Sequence, residues 1–453
     1  TADVGFYKNK PVPLKETCDR AVRDVPRLRH ILVVRRQEGA EIPWRKGRDV
    51  WWHRLVPSQP TAFPTAVLDA EDLAMILYSS GTTGKPKGTL HRVAGVYAQV
   101  IKELGFNFDV KPDTRFYWIT NIGWMMGPWQ VMGVQHFGGC YLIYDGNPSY
   151  PTHERVMDMV ARHRITHLGI SPTYSRSLKS KGDAWIGKYD LSCLRFLGST
   201  GEPFDPESYR WVFEHIGGGR VPIINISGGT EMCGCLVSPS PLTELKACSV
   251  GMPGLGMAIG IADDEGRLLD VGKGHLVLLK PAPSLTRGFL GDWQRYIDTY
   301  FSWEKNRDVW YHGDYIKRDA GGQLTLHGRS DDTINVGGVR TGAGEIESAL
   351  MDHEAVRESA VIGVPDPMKG SDIVCFVLLK EGYDPSEDLR GTIAAHVAHI
   401  MGKNLRPKAV VFVPDLPRTR SMKIVRKAIR KKYCGEDPGD LASIENPEAL
   451  DYV

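Results

Sequence analysis

"YSSGTTGKPKG", Tyr78 to Gly88, is the stretch on which the reading of this chain turns. Four hydroxyl side chains, three glycines and two lysines share its eleven positions. Backbone N–H groups and ammonium groups of such a loop are suited to cradling phosphate. The Walker pattern does not fit: its first glycine falls on Ser79, and Pro86 follows Lys85 where a metal-binding hydroxyl belongs. The dinucleotide pattern G-x-G-x-x-G is absent as well. A plain surface turn explains the glycines but not the hydroxyls and lysines beside them. What remains is a strap that follows the apolar strand "LAMILYSS" and closes over a polyphosphate.

Outward from the strap, residues from about 70 to 280 alternate short apolar strands with longer helical patterns. "RFYWIT", "GGCYLIYDG", "THLGIS", "LRFLGST" and "VPIINIS" read as strands. "RVAGVYAQVIKELGF", "HERVMDMVARHRI" and "PESYRWVFEHIG" read as helices, which predicts α/β layers around a mainly parallel sheet. Between about 250 and 330, turn residues every eight to twelve positions predict a small antiparallel β sub-domain. After "GRSDD" a compact α+β pattern begins. The predicted organisation is therefore a large domain over 1–329 and a small C-terminal domain over 330–453. Upstream, "PLKETCDRAVRDVPRLRH" reads as a helix and "ILVVRR" as the strand after it, with no strand before them.

A chain of 453 residues is too long for one core. Its formal charge of +2 favours neither nucleic acid nor an anionic membrane as partner. No apolar run approaches the ~18 residues of a membrane span. Its eight cysteines are scattered without a CxxC pair, which suits a reducing cytoplasm better than a disulfide framework. Cys233 and Cys235 in "EMCGC" lack a second ligand pair for a metal site. A homo-oligomer is compatible with all of this.

The strap is similar to the phosphate-loop signature of the adenylate-forming, AMP-binding family, which contains acyl-CoA synthetases, peptide-synthetase adenylation domains and luciferases. Further segments match in that family's order: "GSTGEP" (198–203), "ISGGTE" (226–231), "YHGDYIKRDAGGQLTLHGRSDDTINVGGVRTGAGEIE" (311–347) and "PRTRSMKIVRKAIRK" near the C-terminus. The resemblance runs from Leu73 to the end and is strongest to the acetyl-CoA and acetoacetyl-CoA synthetase branch. It implies attack of a carboxylate on the α-phosphorus of ATP with release of pyrophosphate, then attack of coenzyme A on the acyl-adenylate with release of AMP. It also implies a further α/β sub-domain ahead of Thr1.

The resemblance carries roles over by position. Ser79, Ser80, Thr82, Thr83 and Lys87 would hold the β- and γ-phosphates, and Glu231, following Thr230, would hold Mg²⁺. Gly201, Glu202 and Pro203 would line the adenine slot. Asp314 would accept both ribose hydroxyls, with Arg329 supporting the sugar. Lys423 would bridge carboxylate and α-phosphate as two anions approach. Asp331 would be the hinge about which a mobile C-terminal domain swings, and Gly338 and Arg340 would then line the pantetheine path. Trp124, Met125, Met126, Thr200 and Gly228 would form the acyl pocket.

Taken singly, these residues have plainer readings. Asp314 suits a turn, Glu231 suits the start of a helix, and Lys423 precedes a basic helix that suits a solvated face or a membrane surface. Three positions depart from the family pattern. Met422 stands where a glycine usually precedes the lysine, and Ser227 replaces an aromatic residue that stacks on adenine. Gly228 replaces the tryptophan that walls off the acyl pocket in the acetate-using branch, which implies an acid larger than acetate. A module that binds nucleotide without turnover and an adenylation domain loading a carrier protein remain as alternatives; the absence of a carrier "DS" segment after the C-terminal domain favours free coenzyme A.

Overall fold

The computed structural model describes residues 1–453 except 8–9, 80–85, 338, 420–422, 440 and 442–443. The chain divides into two compact units, Thr1–Leu68 with Ile143–Val156, and Asp69–Leu142 with Met157–Val453.

In the first unit a hairpin of Gly5–Tyr7 and Lys10–Val12 precedes the helix Leu14–Ala21, which corrects the expectation that no strand comes before it. Those strands are three residues each, too short to show alternation in the sequence. Ile31–Val33 and Asp49–Trp51 pair in parallel. Lys15 is fully buried, and its ammonium lies 2.7 Å from Asp19 and 2.9 Å from Asp49, the pairing that a buried charge requires.

The second unit holds the predicted layers. Its parallel sheet has the order Ile223–Asn225, Phe196–Ser199, His167–Ile170, Arg115–Trp118, Cys140–Tyr141. These strands are nearly continuous apolar runs, as expected where both faces are covered. Val100 and Leu104 of the helix Val93–Phe106 pack with Trp118 and Trp129 in one core. The strand Leu73–Ser79 stands outside this sheet: it pairs antiparallel with Lys87–Arg92, and the two form a separate ribbon. The two ends of the strap, Ser79 and Lys87, thus lie on paired strands.

A seven-stranded antiparallel sheet follows, containing Ser227–Gly229, Gly234–Ser238, Trp310–Arg318 and Leu324–Arg329 among its strands. The C-terminal sheet is built on the long hairpin of Val356–Asp366 and Gly370–Leu379, with Ala409–Phe412 parallel beside it. Alternation along Gly370–Leu379 is clean. Ile373, Cys375 and Val377 enter the core with Ile346 and Ile393, while Val374, Phe376 and Leu378 enter the core with Ile424 and Ile429. Ile424 and Ile429 thus anchor the segment carrying Lys423, so the basic helix Arg426–Tyr433 packs on the domain and does not lie free for a membrane. No helix among the described residues is long and apolar enough to cross one.

Candidate active site

Ser79 and Lys87 face each other across the hairpin that carries the strap. Ser80, Thr82 and Thr83 lie outside the described residues. The Ser79 hydroxyl is buried without a partner, an unsatisfied donor where the resemblance places phosphate. The Lys87 ammonium is also buried; it lies 3.8 Å from Glu231 Oε1 and donates to the Tyr300 hydroxyl at 3.3 Å.

Thr230 opens the short 3₁₀ turn Thr230–Met232, and Glu231 follows it, buried. The turn joins the strands Ser227–Gly229 and Gly234–Ser238, so a bend in a hairpin aims the carboxylate. Burial alone would raise the pKa of Glu231, but Lys87, the Tyr300 hydroxyl and His312 outweigh it and hold the carboxylate ionised below its usual range. Among the described residues no group of three His, Cys, Asp or Glu converges as a metal cluster. One ionised carboxylate still fits Mg²⁺, which takes most of its ligands from water and phosphate oxygens. Cys233 and Cys235 belong to the apolar core, with burial pushing both thiols up.

Asp314 sits opposite Arg329 in the antiparallel sheet. Its Oδ1 accepts from Arg329 at 3.0 Å; Oδ2 accepts from His312 Nε2 at 3.2 Å and from the Ser227 hydroxyl at 3.3 Å. Burial opposes ionisation here too, but His312 and Arg329 hold the carboxyl far below its ordinary value. Gly313 has φ +85°, and any Cβ there would press on the Arg329 guanidinium. The close approach of Arg329 therefore requires glycine at 313. A carboxylate offers about four acceptor sites, and three are in use. One further donor has direct room, while a second would have to displace the longest contact, from Ser227. His312 Nδ1 is buried without a partner.

Thr200, Gly201, Glu202 and Pro203 follow the strand Phe196–Ser199. Thr200 Oγ1 donates to Ile226 O at 2.8 Å, and Gly201 has φ +102°. The Glu202 side chain is committed to structure: Oε1 accepts from the Thr173 N–H at 2.7 Å and from the Thr173 hydroxyl, and Oε2 from Arg176 at 3.0 Å. Burial resists this charge, but Arg176, Arg426 and Thr173 pull its pKa down to about 2. It pins the loop, and what Glu202 and Pro203 offer a base is mainly their wall.

These elements meet in a cavity of about 350 Å³ whose walls include Thr200, Glu202, Pro203, Gly228, Asp314, Arg329 and Lys423. The Lys423 backbone is held from both sides: its N–H donates to Thr419 Oγ1 at 3.2 Å, and its carbonyl accepts from Thr419 N–H at 2.9 Å. Its side chain lines the cavity and keeps contact with solvent, with neighbouring protein displacing part of its water. Loss of hydration is the first cause of its lowered ammonium pKa; Arg426 and Arg329 add to it, while Glu202 and Asp314 oppose it. Arg426 in turn is locked on Glu347 by two bonds of 2.6 Å. Met422 lies outside the described residues.

The proposed acyl-pocket residues do not all assemble. Thr200 and Gly228 line the cavity, but Trp124, Met125 and Met126 are not among its lining residues. Met126 is buried in the core beside Trp118 and Trp129, Met125 packs against that core, and Trp124 is exposed. The reading of Gly228 also changes. A Cβ on it would collide with the Gly234 carbonyl oxygen, so glycine there serves the close approach of two strands at an irregular register. A tryptophan at 228 would need the backbone itself to move. Of the coenzyme A and hinge positions, Gly338 and the side chains of Asp331 and Arg340 lie outside the described residues. The backbone of Arg340 pairs with Asn335, and Asp331 belongs to the 3₁₀ turn Ser330–Asp332 between the two sheets.

Tyr300, His312, Arg176 and Arg426 surround the site without having been singled out in the sequence. Tyr300 gave no signal beyond its type, because it reaches the site through the end of a helix, whereas His312 stands two residues before Asp314 on the same strand and could have been found from that spacing.

The chain matches the AMP-binding enzyme family over residues 6–290 and the AMP-binding enzyme C-terminal domain over 345–423. It is 40% identical to the acetyl-coenzyme A synthetase of Rubrobacter xylanophilus over 100% of this chain and 70% of that one. The solved acetoacetyl-CoA synthetase from Streptomyces lividans superposes with TM-score 0.87 at 30% identity, covering 100% of this chain and 69% of the other. An anthranilate CoA ligase solved with anthranoyl-AMP gives TM-score 0.77 at 27% identity, covering 91% of this chain and 75% of the other. The chain therefore belongs to the AMP-binding enzyme family, in the branch that holds the acetyl-CoA and acetoacetyl-CoA synthetases.

Proposed function

We propose that this AMP-forming acyl-CoA synthetase activates a short- to medium-chain carboxylic acid larger than acetate. In the first step a carboxylate oxygen bonds to the α-phosphorus of ATP and the bond to pyrophosphate breaks. In the second the coenzyme A sulfur bonds to the acyl carbon, its proton leaves, and AMP departs. The observation that carries the reading is the convergence of Lys423, Asp314, Arg329 and the 200–203 loop on one cavity.

Each residue has work suited to its chemistry. Asp314 takes a ribose hydroxyl, and the 200–203 loop walls the base. Lys423, cationic and held at its backbone, offsets the repulsion between carboxylate and α-phosphate, the kind of preorganised charge that lowers such a barrier most. Magnesium, when bound, neutralises charge on the phosphate oxygens, and Glu231 is the residue that would hold it. For the thioester step, residues 330–453 turn about Asp331, withdrawing Lys423 and bringing Gly338 and Arg340 to the thiol.

The size of the acid rests on the likeness to an acetoacetyl-CoA synthetase; Gly228 adds no side chain to the cavity wall, but the Gly234 carbonyl fills the place a side chain would take. Relatives named acetyl-coenzyme A synthetases favour acetate instead. Pyrophosphate exchange into ATP, run with acids from acetate to octanoate and acetoacetate, decides. Exchange with butyrate or acetoacetate above that with acetate supports the larger acid; exchange greatest with acetate refutes it. The eight free cysteines suit a reducing compartment such as the cytoplasm.

A further inference from the structure

Tyr300 ends the helix Trp293–Tyr300. Its ring is stacked on Trp310 with centroids 4.7 Å apart, and meets Phe289 edge-on at 6.0 Å. Held between them, its hydroxyl donates to Glu231 Oε1 and accepts from the Lys87 ammonium at 3.3 Å. Lys87 and Glu231 themselves are 3.8 Å apart, beyond hydrogen-bond reach. One phenol oxygen therefore bridges the lysine at the foot of the phosphate strap and the carboxylate that fits magnesium.

We propose that Tyr300 is a positioning residue that joins Lys87 to Glu231, engaging one carboxylate oxygen so that the other is presented to the metal ion of Mg·ATP. The inference rests on the reading of Glu231 as the magnesium carboxylate. Without the hydroxyl the bridge between cation and anion is lost, and the lysine closes from 3.8 Å to direct hydrogen-bond contact with the carboxylate. Such a pair ties up the charge that the metal needs. Residue 229 is part of the arrangement, since a Cβ on Gly229 would stand 3.0 Å from Glu231 Oε2 and crowd the second oxygen.

Tyr300→Phe removes the hydroxyl and keeps the ring. The test is calorimetric titration of the full-length protein with ATP, with and without magnesium chloride, in the absence of carboxylic acid so that nothing turns over. In the variant, ATP alone binds within about twofold of wild type, while the tightening contributed by magnesium falls about tenfold, equivalent to about 1.4 kcal/mol. In pyrophosphate exchange the half-saturating magnesium concentration rises while the KM for the acid holds. An equal magnesium gain in wild type and variant overturns the inference alone. A wild type that gains nothing from magnesium overturns the assignment of Glu231 and the inference with it.

Tyr296→Phe, on the same helix and in the same aromatic cluster, reports the effect of altered packing. It keeps the magnesium gain; an equal loss there overturns the inference. Should Tyr300→Phe alone fail to fold, Glu231→Gln and the Glu231→Gln/Tyr300→Phe pair are compared, since neither leaves a buried carboxylate without its partner. Tyr300→Phe then adds nothing to the loss from Glu231→Gln, and a further additive loss overturns the proposal.

Discussion

Asp314→Asn isolates the grip on the sugar. The carboxylate is buried and surrounded by donors: Arg329 at 3.0 Å, His312 at 3.2 Å and the Ser227 hydroxyl at 3.3 Å. An amide has the same shape but only one oxygen, so turning its NH₂ to Arg329 sets donor against donor, and turning it to the other side makes His312 and Ser227 switch from donating to accepting. The site then lacks an ionised acceptor for the ribose. A hydrogen bond to a charged group is worth about 1.5–3 kcal/mol net, which at 1.4 kcal/mol per decade is roughly a ten- to hundredfold rise in the KM for ATP. The disturbed pair with Arg329 adds little, because that guanidinium is 43% exposed and screened by water. The assay is pyrophosphate exchange against ATP concentration at saturating acid, repeated with 2′-deoxy-ATP and 3′-deoxy-ATP. Wild type discriminates against at least one deoxynucleotide, and the variant loses that discrimination. A KM for ATP within twofold of wild type, or unchanged discrimination, refutes the ribose role.

The remaining predictions concern charge and motion. The ammonium pKa of Lys423 is lowered from 10.5, first by water displaced by the surrounding protein and then by Arg426 and Arg329, so the charge it supplies is present at low pH and lost as pH rises through that lowered value. Exchange therefore falls on the alkaline side below pH 10.5, and Lys423→Arg, whose guanidinium stays charged, moves that limb upward; an unmoved limb assigns it to another group. Glu202, with its pKa depressed from 4.5 to about 2, contributes stability that is complete above pH 4.5 and disappears as pH falls through 2, about 3 kcal/mol in all. Urea midpoints measured between pH 6 and pH 3 drop in wild type and flatten in Glu202→Gln. Asp331→Pro slows thioester formation about tenfold or more by fixing the hinge backbone, while exchange stays within about threefold; equal loss of both steps removes the hinge.

Much of the architecture was legible because its signals are local. "THLGI" and "VPIINIS" are short, mainly apolar runs flanked by helical patterns, and such runs suit strands covered on both faces. "DIVCFVLL" is a continuous apolar run whose alternate residues enter two different cores, a division that the structure alone reveals. The hairpin Gly5–Tyr7/Lys10–Val12 was not legible, since three polar-flanked residues carry no period. Within the site, Glu231, Asp314 and Lys423 stood out as charges inside recognisable segments. Tyr300 did not, because it reaches Glu231 only through the packing of a helix end across 69 residues of chain. Gly228 was misread for a related reason: its lack of a side chain was taken as open space, whereas the space belongs to the Gly234 carbonyl. Met126 suited a pocket by type, and the hydrophobic effect drew it into the core.

Whether Lys423 supplies the charge for adenylate formation is tested most directly by Lys423→Ala, with the two half-reactions measured separately in the full-length protein. Acid-dependent pyrophosphate exchange is predicted to fall about a hundredfold or more, the usual cost of deleting one preorganised electrostatic contact. Conversion of chemically prepared acyl-AMP and coenzyme A to acyl-CoA stays within about threefold of wild type. Exchange at the wild-type rate in the alanine variant would contradict the assignment.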